Sequence, residues 1–319
     1  MYYLGVDLGG TKILTALADS EGNIVARSQI PTEAEKGREV ILENIHRTIK
    51  QVINEGGVDK KDIAKIGIGS PGPLNSKEGI IYENSNLPWK NVPLVDIMEE
   101  KTGLPVRLEN DANAAALGEK WFGSGKDVDN MIYVTVSTGI GGGVIIEKDI
   151  LQGVDGAGGE IGHMIIEPEG PTCGCGNSGC LEALASGTAI ARRGRESYRE
   201  DKTTIIAEMA GEDPGKIDAL LIARAARKGD ETAREIYESA GYYLGIGLAN
   251  LINIFNTEMI VFGGGVMKDR DLLEETLRDG LKKYTLPTSL KKVKLVNAEL
   301  ESDTGVKGAV AVAMEDVLG

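Results

Sequence analysis

The sequence has neither a long apolar run nor a block of basic residues. No stretch of the 319 residues approaches the ~20 apolar residues of a membrane-spanning helix, and the first strand-like segment, 2–8, lacks the basic flank of a secretion signal. The 35 Lys and Arg against 49 Asp and Glu give a net charge of −14, and the basic residues are scattered. We therefore expect a cytoplasmic protein that binds neither membranes nor nucleic acids.

Cysteine and histidine are scarce. The chain has three cysteines and two histidines, and the cysteines are clustered at positions 173, 175 and 180. An odd, clustered set is a poor disulfide framework, and it indicates a metal site in a reducing compartment. His46 lies among charged residues of a predicted helix, which is typical of a surface histidine.

The hydrophobic pattern predicts a two-domain α/β protein. The length suits roughly two domains, and 41% of the residues are hydrophobic. The pattern of the first third predicts strands at 4–7, 13–18 and 24–29, followed by a helix at 38–54. It then predicts a strand at 63–69, a helix at 94–102, a strand at 106–109 and a helix from Asp111. This order requires a parallel crossover.

The second half begins in the same way, with a predicted strand at 131–136, a glycine turn at 138–143 and a strand at 144–147. Because residues 5–11 and 136–143 share a strand, a polar residue and a glycine turn, we interpret them as an internal duplication whose two turns face one cleft. The expected domains are 1–122 with the last helix, 304–319, and 123–303. The remaining predicted features are an irregular segment at 151–180, helices over 182–253, a strand at 259–262 with glycines 263–265, a helix at 272–283 and a strand at 293–300.

Both glycine turns are candidates for phosphate binding. Gly9 and Gly10 would let backbone N–H groups approach a phosphate, Thr11 would add a hydroxyl, and Asp7 could hold Mg²⁺ or its water shell. An ordinary hairpin turn also explains this motif, but a second such turn at 137–143 favours phosphate. Neither turn fits the P-loop or the dinucleotide-binding pattern.

Asp111 has two possible roles. It lies where a predicted strand ends and a helix begins, so it could be a simple helix N-cap. A carboxylate at a strand end could also accept a proton from a sugar hydroxyl that attacks a γ-phosphorus. In the second case Asn110 could orient the sugar.

One histidine and the three cysteines could form a closed zinc site. His163, Cys173, Cys175 and Cys180 have the ligand set of tetrahedral structural zinc. Two alternatives are three buried free thiols, which a segment so rich in glycine should bury poorly, and an iron–sulfur cluster, which needs about four thiolates. Glu182 begins a predicted helix, where it is either a favourable anion or a carboxylate that holds sugar hydroxyls.

These motifs resemble those of the ROK family, which groups bacterial sugar kinases with sugar-responsive repressors. The resemblance spans the chain, is closest to the glucokinases, and rests on DLGGT at 7–11, ENDA at 109–112, GEIGH at 159–163 and CGCGNSGCLE at 173–182. The repressors carry a helix-turn-helix domain ahead of the first motif. Since six residues precede Asp7, we expect no DNA binding here.

The resemblance implies a duplicated two-domain α/β fold of the actin/hexokinase-like (RNase H-like) type with a central cleft. It implies transfer of a phosphoryl group from ATP, with Mg²⁺, to the 6-hydroxyl of glucose, with Asp111 as the base, and a homodimer or homotetramer. The implied sugar contacts are Gly72, Asn110, Asp111, Glu160, His163 and Glu182. The implied nucleotide contacts are Asp7, Gly9, Gly10, Thr11, Lys12, Thr138, Gly139, Gly264 and Gly265. The implied ligands of a structural Zn²⁺ are His163, Cys173, Cys175 and Cys180.

Several alternatives stay open. The sugar could be mannose, fructose or N-acetylmannosamine, and the donor could be polyphosphate or ADP. The protein could also be a non-catalytic sugar sensor, against which Asp7, Asn110 and Asp111 argue together. A third class is an actin-fold ATPase with an iron–sulfur cluster.

Overall fold

The structure is a computed structural model that describes residues 1–82 and 87–318. It contains two compact units, the first formed by Met1–Tyr133, Gly143–Gly159 and Asn297–Gly319, the second by Val134–Gly142 and Glu160–Val296. The expected division into 1–122 with 304–319 and 123–303 stays a prediction. Gly319, the last residue of the predicted terminal helix, lies outside the described residues.

The described residues alternate between strands and helices along the chain. The strands are β1 (Tyr2–Leu8), β2 (Lys12–Ala18), β3 (Ile24–Pro31), β4 (Ile63–Ser70), β5 (Leu74–Asn75), β6 (Ile80–Ile81), β7 (Val92–Pro93), β8 (Val106–Asn110), β9 (Met131–Val136), β10 (Ile140–Ile146), β11 (Asp149–Ile150), β12 (Met259–Gly263) and β13 (Lys294–Asn297). The α-helices are α1 (Arg38–Gly56), α2 (Leu94–Thr102), α3 (Asp111–Phe122), α4 (Leu181–Ala185), α5 (Gly187–Glu200), α6 (Ile205–Ala210), α7 (Ala219–Arg227), α8 (Glu231–Phe255), α9 (Glu274–Tyr284), α10 (Pro287–Leu290) and α11 (Thr304–Leu318).

The first sheet has the strand order β3-β2-β1-β4-β8. Strands β1, β2 and β3 pair antiparallel, as three consecutive strands joined by short turns can. Strands β1 and β4, and β4 and β8, pair parallel. The predicted parallel crossover is therefore confirmed.

Helices cover both faces of this sheet. Alternate residues of β1 point to opposite faces: Leu4 belongs to a core cluster shared with α1 and α2, whereas Tyr3 packs with Val310 and Met314 of α11. Helix α1 buries Ile41, Leu42, Ile45, Ile49 and Val52, which recur with the helical period. A sheet buried on both faces can hold its strand ends in fixed positions.

The second sheet has the order β11-β10-β9-β12-β13. Strand β10 begins at Ile140, so the predicted turn at 138–143 is too long, and the predicted strand at 144–147 starts too late. The reason is visible at Gly143, where an added Cβ would come 2.5 Å from the Cβ of Ala116 in α3. Gly143 is therefore part of the strand and not of a turn, because a helix lies directly on the strand at this residue.

Helices predominate in the second unit. The 25-residue α8 begins after Asp230, a buried residue whose carboxylate accepts hydrogen bonds from the N–H groups of Ala233, at 2.9 Å, and Ile206, at 3.0 Å. One side chain thus caps α8 and binds the start of α6. Within residues 1–82 and 87–318, no helix combines the length and apolar character needed to cross a membrane.

The structure differs from the predicted elements at two further places. The pattern missed the small sheet β5-β6-β7, whose strands of two residues are too short to show alternation. The strand predicted at 293–300 is limited to Lys294–Asn297, because the N–H groups of Glu299 and Leu300 donate to the carboxylate of Glu119.

Glu119 fastens the C-terminal segment to α3. The side chain is fully buried, and its carboxylate accepts hydrogen bonds from the N–H groups of Ser124 (3.0 Å), Glu299 (3.1 Å) and Leu300 (3.0 Å). The last two donors lie just before α11, which packs on α3 and the first sheet. A buried carboxylate is stable only when its oxygens are bound in this way.

We expect Glu119→Ala to destabilise the first unit by about 2 to 4 kcal/mol, because it removes a buried carboxylate that accepts three N–H hydrogen bonds. Both tryptophans, Trp89 and Trp121, lie in the first unit, so urea unfolding followed by tryptophan fluorescence measures its free energy of unfolding. The exposed Glu55→Ala is the control and should change stability by less than about 0.5 kcal/mol. Equal stability of the two variants would contradict the role of Glu119.

Candidate active site

Three parallel strands of the first unit end at one edge of the sheet. Asp7 of β1 is level with Gly69 of β4, which is level with Glu109 of β8, and Ser70 is level with Asn110. Because parallel strands present their carboxyl ends at the same edge, the polar residues that follow them lie side by side. The predicted residues Asp7, Gly72, Asn110 and Asp111 come together in this way.

The turn after β1 is tied to the end of β3. The N–H of Gly9 donates to the carbonyl of Lys12 at 3.0 Å. Thr32 binds the turn twice: its hydroxyl donates to the carbonyl of Gly9 at 2.6 Å, and its N–H donates to the carbonyl of Thr11 at 3.0 Å. Thr11 and Lys12 are exposed, whereas Gly9 and Gly10 are half-buried. The turn is therefore fixed while its tip can meet a ligand.

Asn110, not Asp111, is the N-cap of α3. Its side-chain oxygen accepts hydrogen bonds from the N–H groups of Ala112 and Asn113, so the N-cap role considered for Asp111 is wrong. The side-chain amide nitrogen of Asn110 is directed towards Gly72, 3.4 Å from the position of an added Cβ there. Asp111 is the first helical residue and one of its oxygens accepts from the N–H of Ala112 at 2.8 Å.

The pKa values of two carboxylates at this edge, those of Asp7 and Asp111, are raised. Desolvation by burial, then the negative charge of Asp111, raise the pKa of Asp7 to about 6, against an opposing effect of Lys12. Asp111 is reached by solvent, yet protein atoms crowd its carboxylate, and this desolvation raises its pKa above the usual range.

Glu109 and Gln152 contribute to the candidate site, although the sequence motif gives Glu109 no role and no motif includes Gln152. Glu109 is buried and accepts hydrogen bonds from the N–H of Asn110 (2.9 Å) and the side-chain amides of Asn113 (3.0 Å) and Gln152 (2.6 Å). Burial raises its pKa, against the effect of these donors. Glu109 thus holds the start of α3. Its position directly before Asn110 was the available signal, whereas nothing near Gln152 in the sequence marks it.

The second unit carries its own glycine turn, residues 137–140, which we call the nucleotide turn after the nucleotide contacts predicted for Thr138 and Gly139. The N–H of Ser137 donates to the carbonyl of Gly139 at 2.9 Å. The start of α5 holds the other side: the N–H of Gly187 donates to the Ser137 carbonyl at 2.7 Å, and the hydroxyl of Thr188 donates to the Thr138 carbonyl at 2.8 Å. The turn is therefore held by Gly187 and Thr188, which the sequence of the turn itself does not indicate.

A cavity of about 590 Å³ opens beside the nucleotide turn. Its lining includes two predicted residues, Thr138 and Gly265, together with Thr188, Arg195 and Lys268, which the sequence did not suggest. Gly264 lies next to Gly265 with a φ of 93°, and an added Cβ would be 2.3 Å from the carbonyl oxygen of Val136. The volume is in the range of sites for small molecules.

The histidine and the cysteines come together as predicted. One ligand atom from each of His163, Cys173, Cys175 and Cys180 lies within 4.8 Å of the others. His163 Nδ1 is 3.7 Å from the Cys173 sulfur, and the Cys175 and Cys180 sulfurs are 3.7 Å apart. Zinc bonds of ~2.3 Å in a tetrahedron give sulfur–sulfur distances of roughly 3.8 Å. The four residues, which we call the zinc cluster, fit a zinc ion.

One expectation about the cysteines is wrong. Cys173 and Cys180 are buried and Cys175 is exposed, although the segment was expected to bury cysteines poorly. Short main-chain bonds explain this result: the N–H of Cys173 donates to the carbonyl of Asn177 at 2.7 Å, and the N–H of Gly179 donates to the carbonyl of Pro171 at 2.9 Å. The segment folds into a tight, closed loop in spite of its glycines.

The predicted sugar residues belong to both units. Gly72, Asn110 and Asp111 are in the first unit, while Glu160, His163 and Glu182 are in the second. Glu160 is exposed, and its carbonyl accepts from the N–H of His163 at 3.1 Å. In the second unit, Glu182 stands in the first turn of α4 beside the zinc cluster.

Comparison with known proteins agrees with these features. Residues 3–316 match the model of the ROK family. A glucokinase of Thermotoga maritima is 40% identical over 317 residues, which cover 99% of this chain and 98% of that protein.

Two solved structures are similar over nearly the whole chain. A ROK hexokinase from Thermus thermophilus is 36% identical with a TM-score of 0.85, covering 99% of each chain. A ROK family glucokinase from Streptomyces griseus, in complex with glucose and AMPPNP, is 32% identical with a TM-score of 0.80, covering 99% of this chain and 100% of that one. The predicted actin/hexokinase-like fold is confirmed.

We expect one zinc ion per chain by elemental analysis of protein purified without chelators. Cys175→Ser should bind zinc more weakly, because it removes one ligand at an exposed position where packing changes little. Glu169→Gln, a change of an exposed acid in the same segment, should keep the full zinc content. Iron with visible absorption in the wild-type protein would contradict the zinc assignment in favour of an iron–sulfur cluster.

Proposed function

The chain belongs to the ROK family, and we propose that it is a glucokinase, which transfers the γ-phosphoryl group of ATP to the 6-hydroxyl of glucose. The observation that carries this proposal is 40% identity to a glucokinase over nearly the full length of both chains. The similar structure that holds glucose and AMPPNP supports both substrates.

The nucleotide is proposed to bind at the two glycine turns. The nucleotide turn and the cavity lined by Thr138 and Gly265 would hold the nucleoside and phosphates in the second unit, and Gly9 to Lys12 would contact phosphate in the first. Asp7 fits a site for Mg²⁺ or its water shell, because its carboxylate is crowded by Asp111 and a cation would relieve that repulsion. Bound Mg²⁺ would neutralise phosphate charge.

Asp111 is proposed to act as the base. Its carboxylate accepts the proton of the sugar 6-hydroxyl while the oxygen bonds to the γ-phosphorus, and the bond from that phosphorus to the β-γ bridging oxygen breaks to release ADP. The raised pKa strengthens Asp111 as a proton acceptor. Its place at the start of α3, fixed by Asn110 and Glu109, keeps the carboxylate in one position.

The other sugar contacts are proposed on the residues that match the family motifs: Gly72, Asn110, Glu160, His163 and Glu182. The side-chain amide nitrogen of Asn110 can donate to a sugar hydroxyl, because its oxygen already caps α3. The zinc cluster would fix the segment that carries His163 and Glu182, with no role in the chemical step. We also propose that the enzyme works in the cytoplasm as a homodimer or homotetramer.

The proposal is tested by measuring ADP release in a coupled assay with ATP, Mg²⁺ and a panel of glucose, mannose, fructose, N-acetylmannosamine and N-acetylglucosamine. We expect the highest kcat/KM with glucose. Strongest turnover on another hexose would keep the kinase and overturn the substrate, whereas binding of sugar without turnover on any of them would favour the sugar sensor. In a parallel series polyphosphate or ADP replaces ATP, and formation of the hexose phosphate is measured instead of ADP, because transfer from these donors leaves a shortened polyphosphate or AMP.

Asp111→Asn should lower kcat by on the order of 1,000-fold, because asparagine cannot accept the proton. The variant should still bind glucose within a few-fold of wild type, measured by isothermal titration calorimetry. Asp62→Asn, the same change at an exposed acid of the first unit, is the control and should leave kcat unchanged. Substantial turnover by Asp111→Asn would remove Asp111 from the role of base.

A further inference from the structure

Glu182 touches two separate parts of the second unit. One carboxylate oxygen, Oε2, accepts a hydrogen bond from the N–H of Ile140 at 2.9 Å. The other, Oε1, is 3.7 Å from the sulfur of Cys173. The residue therefore connects the nucleotide turn to the zinc cluster, a role different from the sugar contact that the family motif implies.

The nucleotide turn lies directly against this carboxylate. A Cβ added to Gly139 would be only 2.3 Å from Oε2 of Glu182, so the main chain of the turn approaches the carboxylate as closely as a glycine allows. The N–H of Ile140 thereby has a charged acceptor, which makes a stronger hydrogen bond than a neutral one. In the described contacts, the hydrogen bond between Ile140 and Glu182 connects the turn to the zinc cluster, because Glu182 also contacts Cys173.

The rest of the turn is held in a different way. Gly187 and Thr188 at the start of α5 bind the carbonyls of Ser137 and Thr138, and neither residue touches the zinc cluster in the described contacts. The side of the turn at Gly139 and Ile140 depends on Glu182. A shift of Cys173 would move the carboxylate, because Glu182 is packed against the sulfur.

We propose that Glu182 is a positioning residue for nucleotide binding, and that through it the zinc cluster sets the conformation of the nucleotide turn. This inference rests on the proposed function in taking residues 137–140 as a nucleotide site. It predicts that loss of the Glu182–Ile140 bond weakens nucleotide binding even when no sugar is present.

The first test measures the Kd of AMPPNP with Mg²⁺ by calorimetry, without sugar. Glu182→Ala should bind AMPPNP on the order of 10-fold more weakly, since it loses a hydrogen bond to a charged group. Glu182→Gln keeps an oxygen acceptor for Ile140 and should stay within about 3-fold of wild type. Glu167→Ala is the matched control: this half-buried glutamate of the segment that carries the zinc cluster accepts a hydrogen bond from the Tyr243 hydroxyl at 2.8 Å, and the Kd of AMPPNP should not change in this variant.

The second test is hydrogen–deuterium exchange at the amide of Ile140. We expect exchange on the order of 10-fold faster in Glu182→Ala than in wild type, because the amide loses its acceptor. Zinc content and melting temperature show whether each variant is folded. If wild-type protein does not bind AMPPNP, the proposed function fails, and exchange at Ile140 still decides whether Glu182 positions the turn.

The zinc arm of the proposal compares metal-loaded and chelator-treated protein. Zinc removal should weaken AMPPNP binding and speed Ile140 exchange in wild type, but should have little further effect in Glu182→Ala, because the link is already broken. Three results would overturn the inference: wild-type Kd in Glu182→Ala, equal loss in Glu182→Gln and Glu182→Ala, or zinc removal that leaves both readouts unchanged in folded wild-type protein.

Discussion

The parallel pairing of β1, β4 and β8 is the constraint on which the candidate site of the first unit depends. It places Asp7 level with Gly69 and Glu109, so that the residues after each strand meet at one edge. The cost is electrostatic: two carboxylates share a crowded space, and the charge of Asp111 contributes to raising the pKa of Asp7 to about 6. The same repulsion makes the edge suitable for a cation and for a proton acceptor.

The second unit positions its groups by a different principle. Its nucleotide turn is held by hydrogen bonds from three directions, namely within the turn, from the start of α5 and from Glu182. Glu182 is in turn packed against Cys173 of the zinc cluster. A glycine-rich segment can therefore be held in place by hydrogen bonds from groups outside it.

The sequence predicted what local pattern determines. The strands around Asp7, the α3 start at Asp111 and the His163 and cysteine cluster could be read from periodicity, turn residues and ligand type. Contacts between distant segments could not, since no local signal joins Gln152 to Glu109 or Glu119 to Leu300. The predicted start of β10 is wrong because Gly143 allows α3 to approach the strand and does not form a turn. The roles of the individual site residues stay proposals.

The most direct test of the account is a ¹³C NMR titration of the Asp7 side-chain carboxyl. The account predicts a pKa of about 6 in wild-type protein and a lower value in Asp111→Asn, because the nearby negative charge is removed while the burial of Asp7 remains. Addition of Mg²⁺ with AMPPNP should also lower it. An Asp7 pKa in the ordinary range near 3.8, or one that Asp111→Asn leaves unchanged, would contradict the claim that the parallel strands bring these carboxylates together.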